Sequence, residues 1–340
     1  MMARWPLLAL MLLHSLPRVE AAIEFDLAND VSISLNLLQV QAQAHNSDGG
    51  VGQATNHSTP IGHITGTSIH HPTLHQVHPR QVLQPKSSMF RMLEQNGVSQ
   101  GAEDGIAVIV PGLGDYERAQ LVLQNIAWLK AQNVPFECTI YVYLSADDFP
   151  LVEKTYAPCR LIRHPGYWME HIKAFPLKQT RRRWVLHMMD SIKPDKNVHL
   201  RRMIDIMKAN DLGHAAPTFH KHPWHPVMVS QNKTRPGRDV SFIELQMDVF
   251  SRDYFACMQD AASDENGMGW GIDMVLPALC QNYGKMGLFD GMTVRKKFWG
   301  SYNKGDARKS MTAFLERFRK NYPDLWLADD KTTHGVLKAP

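Results

Sequence analysis

The sequence predicts an α/β fold with a mostly parallel central sheet and helices on both faces, and three observations lead there. Short, continuously apolar runs such as "IAVIV", "TIYVY" and "WVLHMM" read as strands buried on both sides. Amphipathic helical stretches separate them, and strands alternating with helices favour parallel pairing through crossover connections. The strand-like runs end in loops rich in Gly and Asp: "PGLGD", "SADD" and "DSIKPD". In such sheets ligands bind beyond the carboxyl ends of the strands.

The elements follow in order from Gly105. "IAVIVPGLGD" is a buried strand ending in a glycine-rich turn. "YERAQLVLQNIAWLKAQN" then places Leu121, Val122, Ile126 and Leu129 on one helical face. "CTIYVYLSADD" is the second strand, "LVEKTYA" a short helix, "CRLIRHPG" the third strand and "WVLHMMD" the fourth, ending in Asp190. "NVHLRRMIDIMKAND" is helical, with Leu200, Met203, Ile204 and Met207 at the required intervals. "GHAAPTF" and "HPVMVSQ" read as further short strands, and "FIELQMDVFSRDYFACMQDA" as a strand followed by a helix. The glycine motif "GMGWGID" opens another helix, and residues 306–322 form a terminal amphipathic one. No internal repeat is visible.

The ends of the chain are of a different kind. Arg4 followed by "WPLLALMLL" and the small residues Val19 and Ala21 predicts a signal peptide over residues 1–22. Retention of this segment as an anchor is the alternative, and no other stretch is long enough to span a membrane. Residues 23–100 are expected to form a largely disordered stem, since Gly, Ser, Thr, Pro and His dominate from His45 to Gln84. Its histidines, His57, His63, His70, His71, His75 and His78, read as a spacer or as a metal-binding tract. The α/β domain is expected over 101–325 and a C-terminal tail over 326–340. A formal charge of +4, from 37 basic and 33 acidic residues, is near balance. The run Arg181-Arg182-Arg183 is a solvated approach to a strand, and no nucleic-acid partner is expected. In the oxidising secretory pathway four cysteines predict disulfides, preferentially Cys138–Cys159 and Cys257–Cys280. The sequons at Asn56 and Asn232 agree with that compartment, the Golgi lumen or the cell exterior.

Four groups of residues carry candidate chemistry. Asp190 ends a hydrophobic strand, where a carboxylate can hold Mg²⁺ or Mn²⁺, or cap a turn. Pro111, Gly112, Gly114 and Asp115 let backbone N–H groups approach a phosphate or a uracil ring, or simply turn the chain. Gly269, Trp270 and Gly271 offer a close backbone and an aromatic face to an acceptor sugar. Asp273 beside them is a general base or a helix cap. The stretch holding His220, His222 and His225 is a metal-binding group or a loop with fortuitous histidines.

From about Gly105 to Lys297 the pieces "VIVPGLGD", "ECTIYVY", "PCRLIRHPG", "WVLHMMDSIKP", "RRMIDIMKANDL", "FIELQMDVFSRDYFACM", "GWGIDMVLPALC" and "GLFDGMTVR" resemble a family. It is a plant and algal family labelled lysine-ketoglutarate reductase trans-splicing related, itself similar to nucleotide-sugar glycosyltransferases of the GT-A type. The resemblance implies transfer of a sugar from a nucleotide-sugar donor to a glycan or glycoprotein acceptor. It implies Asp190 as the first acid of a metal-binding Asp-x-Asp motif, Gly112 to Asp115 beside the nucleotide, and Asp273 as the acid of the "GWGxD" segment. This chain departs at the second acid, where Ile192 stands; Asp195 is the expected substitute for holding Mn²⁺ or Mg²⁺. The departure keeps a second reading open, a catalytically inactive carbohydrate-binding protein on a transferase-like scaffold.

Overall fold

The computed structural model describes residues 103–143, 153–221, 225–263, 266–299, 303–328 and 332–340, all within the compact unit Val82–Pro340. The signal segment, the stem with its histidines, Asn56 and His222 lie outside the described residues. In chain order the strands are β1 (Glu103–Leu113), β2 (Phe136–Tyr143), β3 (Arg160–His164), β4 (Arg182–Met188), β5 (Ile192–Pro194), β6 (Leu212–Phe219), β7 (Arg238–Val240), β8 (Met247–Ser251), β9 (Lys285–Lys296) and β10 (Thr333–Val336). The helices are α1 (Tyr116–Ala131), α2 (Trp168–Ala174), α3 (Leu200–Asn210), α4 (Arg252–Ala261), α5 (Ile272–Leu279) and α6 (Lys304–Asn321).

The strands form one sheet in the order β10-β7-β9-β6-β8-β4-β1-β2-β3, with β5 added to β9. β3, β2, β1 and β4 are mutually parallel, as the apolar runs predict. β8 lies antiparallel between β4 and β6, and β6 pairs parallel with β9. β5, β7 and β8 therefore oppose the direction of the other strands, and the carboxyl ends of the majority share one edge. The α/β class is as expected.

α1 forms because "YERAQLVLQNIAWLKA" lacks Gly and Pro and buries Ala119, Val122, Ile126 and Leu129 along one stripe. Asp115 caps it by accepting the Arg118 N–H at 2.8 Å. α3 buries the expected Leu200, Met203, Ile204 and Met207 and ends where Asp211 turns left-handed at φ 53°. The predicted disulfides are both present: Cys138–Cys159 ties β2 to the approach of β3, and Cys257–Cys280 ties α4 to the end of α5.

Several local expectations are corrected. "HPVMVSQ" is a 3-10 turn over Pro226–Met228 and not a strand, because Pro226 supplies no ladder N–H. "PGL" continues β1 instead of leaving it as a loop. β9 was hidden by Gly287, Asp290 and Gly291, residues depleted from strands. The register explains Asp290 and Gly291: Pro217 pairs with Phe289 and Thr218 with Thr293, so the strand loops out between, while Gly287 stays in the ladder opposite Ala215. The expected tail carries β10, which pairs with β7, and Leu337 is buried.

A buried polar chain crosses the sheet. The Trp168 indole N–H donates to His187 Nε2 at 2.8 Å, which leaves the His187 proton on Nδ1 to donate to Asp248 Oδ2 at 3.0 Å. His214 Nε2–H donates to the other Asp248 oxygen at 3.0 Å. The two histidines and Asp248 are wholly buried, and burial keeps His214 below the ordinary histidine range. Three neighbouring strands and α2 are thereby held in one register.

Candidate active site

The carboxyl edge of the sheet collects the ends of β1, β2, β4, β6 and β9, and the approach to antiparallel β8. Asp190 follows β4, Glu244 and Gln246 precede β8, Lys296 closes β9, and His220 and His225 follow β6. Met189 N–H donates to the Gln246 carbonyl, locking the β4 and β8 ends together.

Asp190 is buried at 3% exposure. Its Oδ1 accepts from Arg118 Nη1 at 2.9 Å, while Oδ2 has no hydrogen bond of good geometry among the described residues. Burial pushes its carboxyl up to about 6; Arg118 opposes the rise, Asp115 adds to it, and the nearby Gly114 N–H favours the charge. Arg118 also donates to Asp115 Oδ2 at 3.0 Å and to the Trp299 carbonyl at 2.9 Å. Its guanidinium lies 5.5 Å over the Phe298 ring.

Lys296 Nζ donates to Gln246 Oε1 at 3.1 Å and sits 5.0 Å over the Trp299 ring. Burial lowers its ammonium, with Arg118 adding to that and Glu244 and Asp190 opposing. Glu244 in turn accepts from Gln246 Nε2 at 2.6 Å and faces His225 at 3.9 Å.

Asp273 stands in the first turn of α5 and keeps some access to solvent. Crowding by protein and the Glu244 carboxylate push it up to about 7, against His225 and the N–H groups of the turn. The influences on these groups run in one line, from Asp190 to Lys296, from Lys296 to Glu244, and from Glu244 to Asp273. Lys296 and Glu244, two groups that sequence reading missed, are thus the charges felt by Asp190 and Asp273 in turn.

The glycines serve a different purpose from the one expected. A Cβ on Gly269 would lie 2.5 Å from the Trp168 ring, one on Gly267 2.6 Å from Glu170 Oε1, and one on Gly271 2.9 Å from Met311. The room they clear is filled by the protein's own side chains, so no acceptor sugar is needed to explain them. Gly112, at φ +84°, admits the Tyr143 ring in the same way. Trp270 is half-buried, and its carbonyl accepts from Asn266 at 2.8 Å.

The expected metal pair does not assemble. β5 runs extended between Asp190 and Asp195, which alone separates them by about 10 Å. Asp195 instead accepts from His220 Nε2 at 2.6 Å, Thr293 Oγ1 at 2.8 Å and Arg295 Nε at 2.9 Å. Burial works against its charge, but those bonds outweigh it and hold the carboxyl below its ordinary value. His225 lies with Glu244 and Phe242, apart from the Asp195 group that holds His220. Among the described residues no three His, Cys, Asp or Glu side chains converge as metal ligands. Asp190, with one oxygen on a guanidinium and an ammonium nearby, offers a poor donor set for Mn²⁺ or Mg²⁺.

No family model matches the chain, and no curated protein is similar to it. The chain is similar in structure to TarS of S. aureus in complex with UDP-GlcNAc, with 11% identity and a TM-score of 0.41 over 64% of this chain and 73% of that one. It is also similar to GalNAc-T7 with UDP, GalNAc and Mn²⁺, with 10% identity and a TM-score of 0.42 over 63% of this chain and 48% of that one. The chain thus spans about half of the GalNAc-T7 chain. Overlaps this loose leave function to be argued from the site.

Among the described residues no helix is long and apolar enough to cross a membrane. Asn232, of the second sequon, is half-buried, and its Oδ1 accepts from the Thr234 hydroxyl at 2.7 Å.

Proposed function

We propose that this protein is a luminal or secreted glycosyltransferase that passes a sugar from a nucleotide-sugar donor to a glycan or glycoprotein acceptor. One observation supports it above the others: hydrogen bonds gather Arg118 with Asp190, and Lys296 with Gln246 and Glu244, at the carboxyl edge of the sheet, and the Glu244 charge is felt by Asp273. The sequence resemblance, the two disulfides and the sequon at Asn232 agree with it. The acceptor hydroxyl oxygen bonds to the anomeric carbon, the bond from that carbon to the diphosphate oxygen breaks, and its electron pair leaves with the diphosphate. The hydroxyl proton passes to Asp273, whose raised proton affinity suits a base working near neutral pH. Glu244 and His225 set that affinity from either side.

The test incubates the full chain with a panel of nucleotide sugars and glycan acceptors, following nucleoside diphosphate release and acceptor mass. Asp273→Asn should slow transfer by about 10²- to 10⁴-fold while leaving donor affinity within about threefold. Failure of every donor to bind would sink the proposal. The second reading, a carbohydrate-binding protein without turnover, is favoured by the missing metal pair. Glycan binding with no donor consumption would establish it.

A further inference from the structure

We infer that the diphosphate of the donor is received by Lys296 and Arg118, so that nucleotide binding at this edge requires no divalent cation. The inference rests on the nucleotide-sugar reading of the same edge and deepens it.

A hard divalent cation needs several carboxylate or carbonyl oxygens turned toward one point. Among the acids near the end of β4 one buried oxygen, Asp190 Oδ2, stands without a hydrogen bond among the described residues, and a single oxygen does not make such a set. Asp190 Oδ1 is on Arg118, both Asp115 oxygens serve Arg118, and Asp195 is spent on Thr293, His220 and Arg295. Ile192, where the second acid of the motif was expected, is fully buried among apolar residues. A doubly charged ion at Asp190 would also face the guanidinium of Arg118 and the ammonium of Lys296.

Those two cations have donor capacity in reserve. A guanidinium carries five N–H donors and an ammonium three. Arg118 uses Nε on Asp115, Nη1 on Asp190 and Nη2 on the Trp299 carbonyl, and Lys296 gives one to Gln246. Arg118 keeps 17% of its side-chain surface exposed, and Lys296 is half-buried. The edge is thereby divided by charge. Arg118 and Lys296, beneath Phe298 and Trp299, form the end suited to a departing diphosphate. Glu244, His225 and Asp273 form the end suited to an incoming hydroxyl. The cationic end supplies the leaving-group stabilisation that a metal provides elsewhere.

The experiment is calorimetric titration of the full chain with UDP and with inorganic diphosphate, in EDTA and in Mn²⁺. Because the His-rich stretch is itself a potential Mn²⁺ binder, the metal arm is read against a titration with Mn²⁺ alone. UDP affinity in EDTA is expected within about threefold of that in Mn²⁺, and to weaken with added salt. Lys296→Gln should weaken both ligands by about 10- to 100-fold, with Lys296→Arg recovering most of the loss. UDP binding that EDTA abolishes overturns the inference and leaves the transferase reading intact. Unchanged affinity in a folded Lys296→Gln protein also overturns it. No binding of UDP or of inorganic diphosphate in either condition overturns the inference, and the transferase reading falls with it only if the whole donor panel also fails to bind. Binding in EDTA without transfer from any donor keeps the inference and removes the transferase.

Discussion

Asp273 gathers most of the single-residue consequences. Its carboxyl is raised to about 7 by crowding and by Glu244, with His225 opposing. A base must be deprotonated to accept a proton, so transfer should rise with pH to about 7 and then level off. Asp273→Asn should remove that limb, and a pH series of initial rates reads both. The same shift bears on stability with the opposite sense. A carboxyl whose folded value exceeds its unfolded one favours the fold while protonated, and that contribution is lost as pH climbs from about 4 to about 7. Asp190, raised to about 6, acts in the same direction. Asp273→Asn should therefore stabilise the protein at pH 8 by about 1–3 kcal/mol, after allowance for partial solvent exposure. The gain should vanish near pH 4, as thermal melts at the two pH values would reveal. Equal melting at pH 8 would mean that the carboxyl is not perturbed.

Among elements, the turn that opens α5 is decided by α2. Gly269 lies at φ +74° against the Trp168 ring, and that ring is fixed through its N–H to His187. Gly269→Ala meets both a left-handed backbone and a ring unable to retreat, so a loss of about 2–4 kcal/mol is expected in denaturant unfolding. Gly267→Ala meets the Glu170 carboxylate, which can move only by loosening its bond from the Tyr167 N–H, and should cost about 1 kcal/mol. Equal losses at the two positions would contradict this account. The glycine motif was conspicuous in the sequence, but its partners were not. Trp168, Glu170 and Met311 belong to other elements, and no local pattern links them to residues 267–271.

For the molecule as a whole, the two disulfides bind neighbouring elements whose pairing the chain reaches over short loops. Cys257 and Cys280 are 23 residues apart, and closing such a loop restricts the unfolded chain. Cys257→Ala with Cys280→Ala should cost about 3 kcal/mol, lowering the melting temperature by roughly 6–12 °C. A double variant that melts like the parent would show that the bond adds nothing to the fold. The site depends on the same large-scale order. Lys296 comes opposite Ile192, two residues after Asp190, because β9 carries β5 on its end, while Gln246 arrives through antiparallel β8.

The sequence by itself determined the α/β class, the buried strands β1, β2 and β4 and the stripes of α1 and α3, and it favoured the cysteine pairs that the structure contains. Burial imposes a period on neighbouring residues, and such periods can be read locally. Tertiary structure alone decided that Asp195 leaves Asp190, that the glycines make room for Trp168 and Glu170, and that Arg118, Lys296 and Glu244 join the edge. Electrostatic neighbours are set by strand order and register, and a charge carries no mark in the chain of the partner it will face.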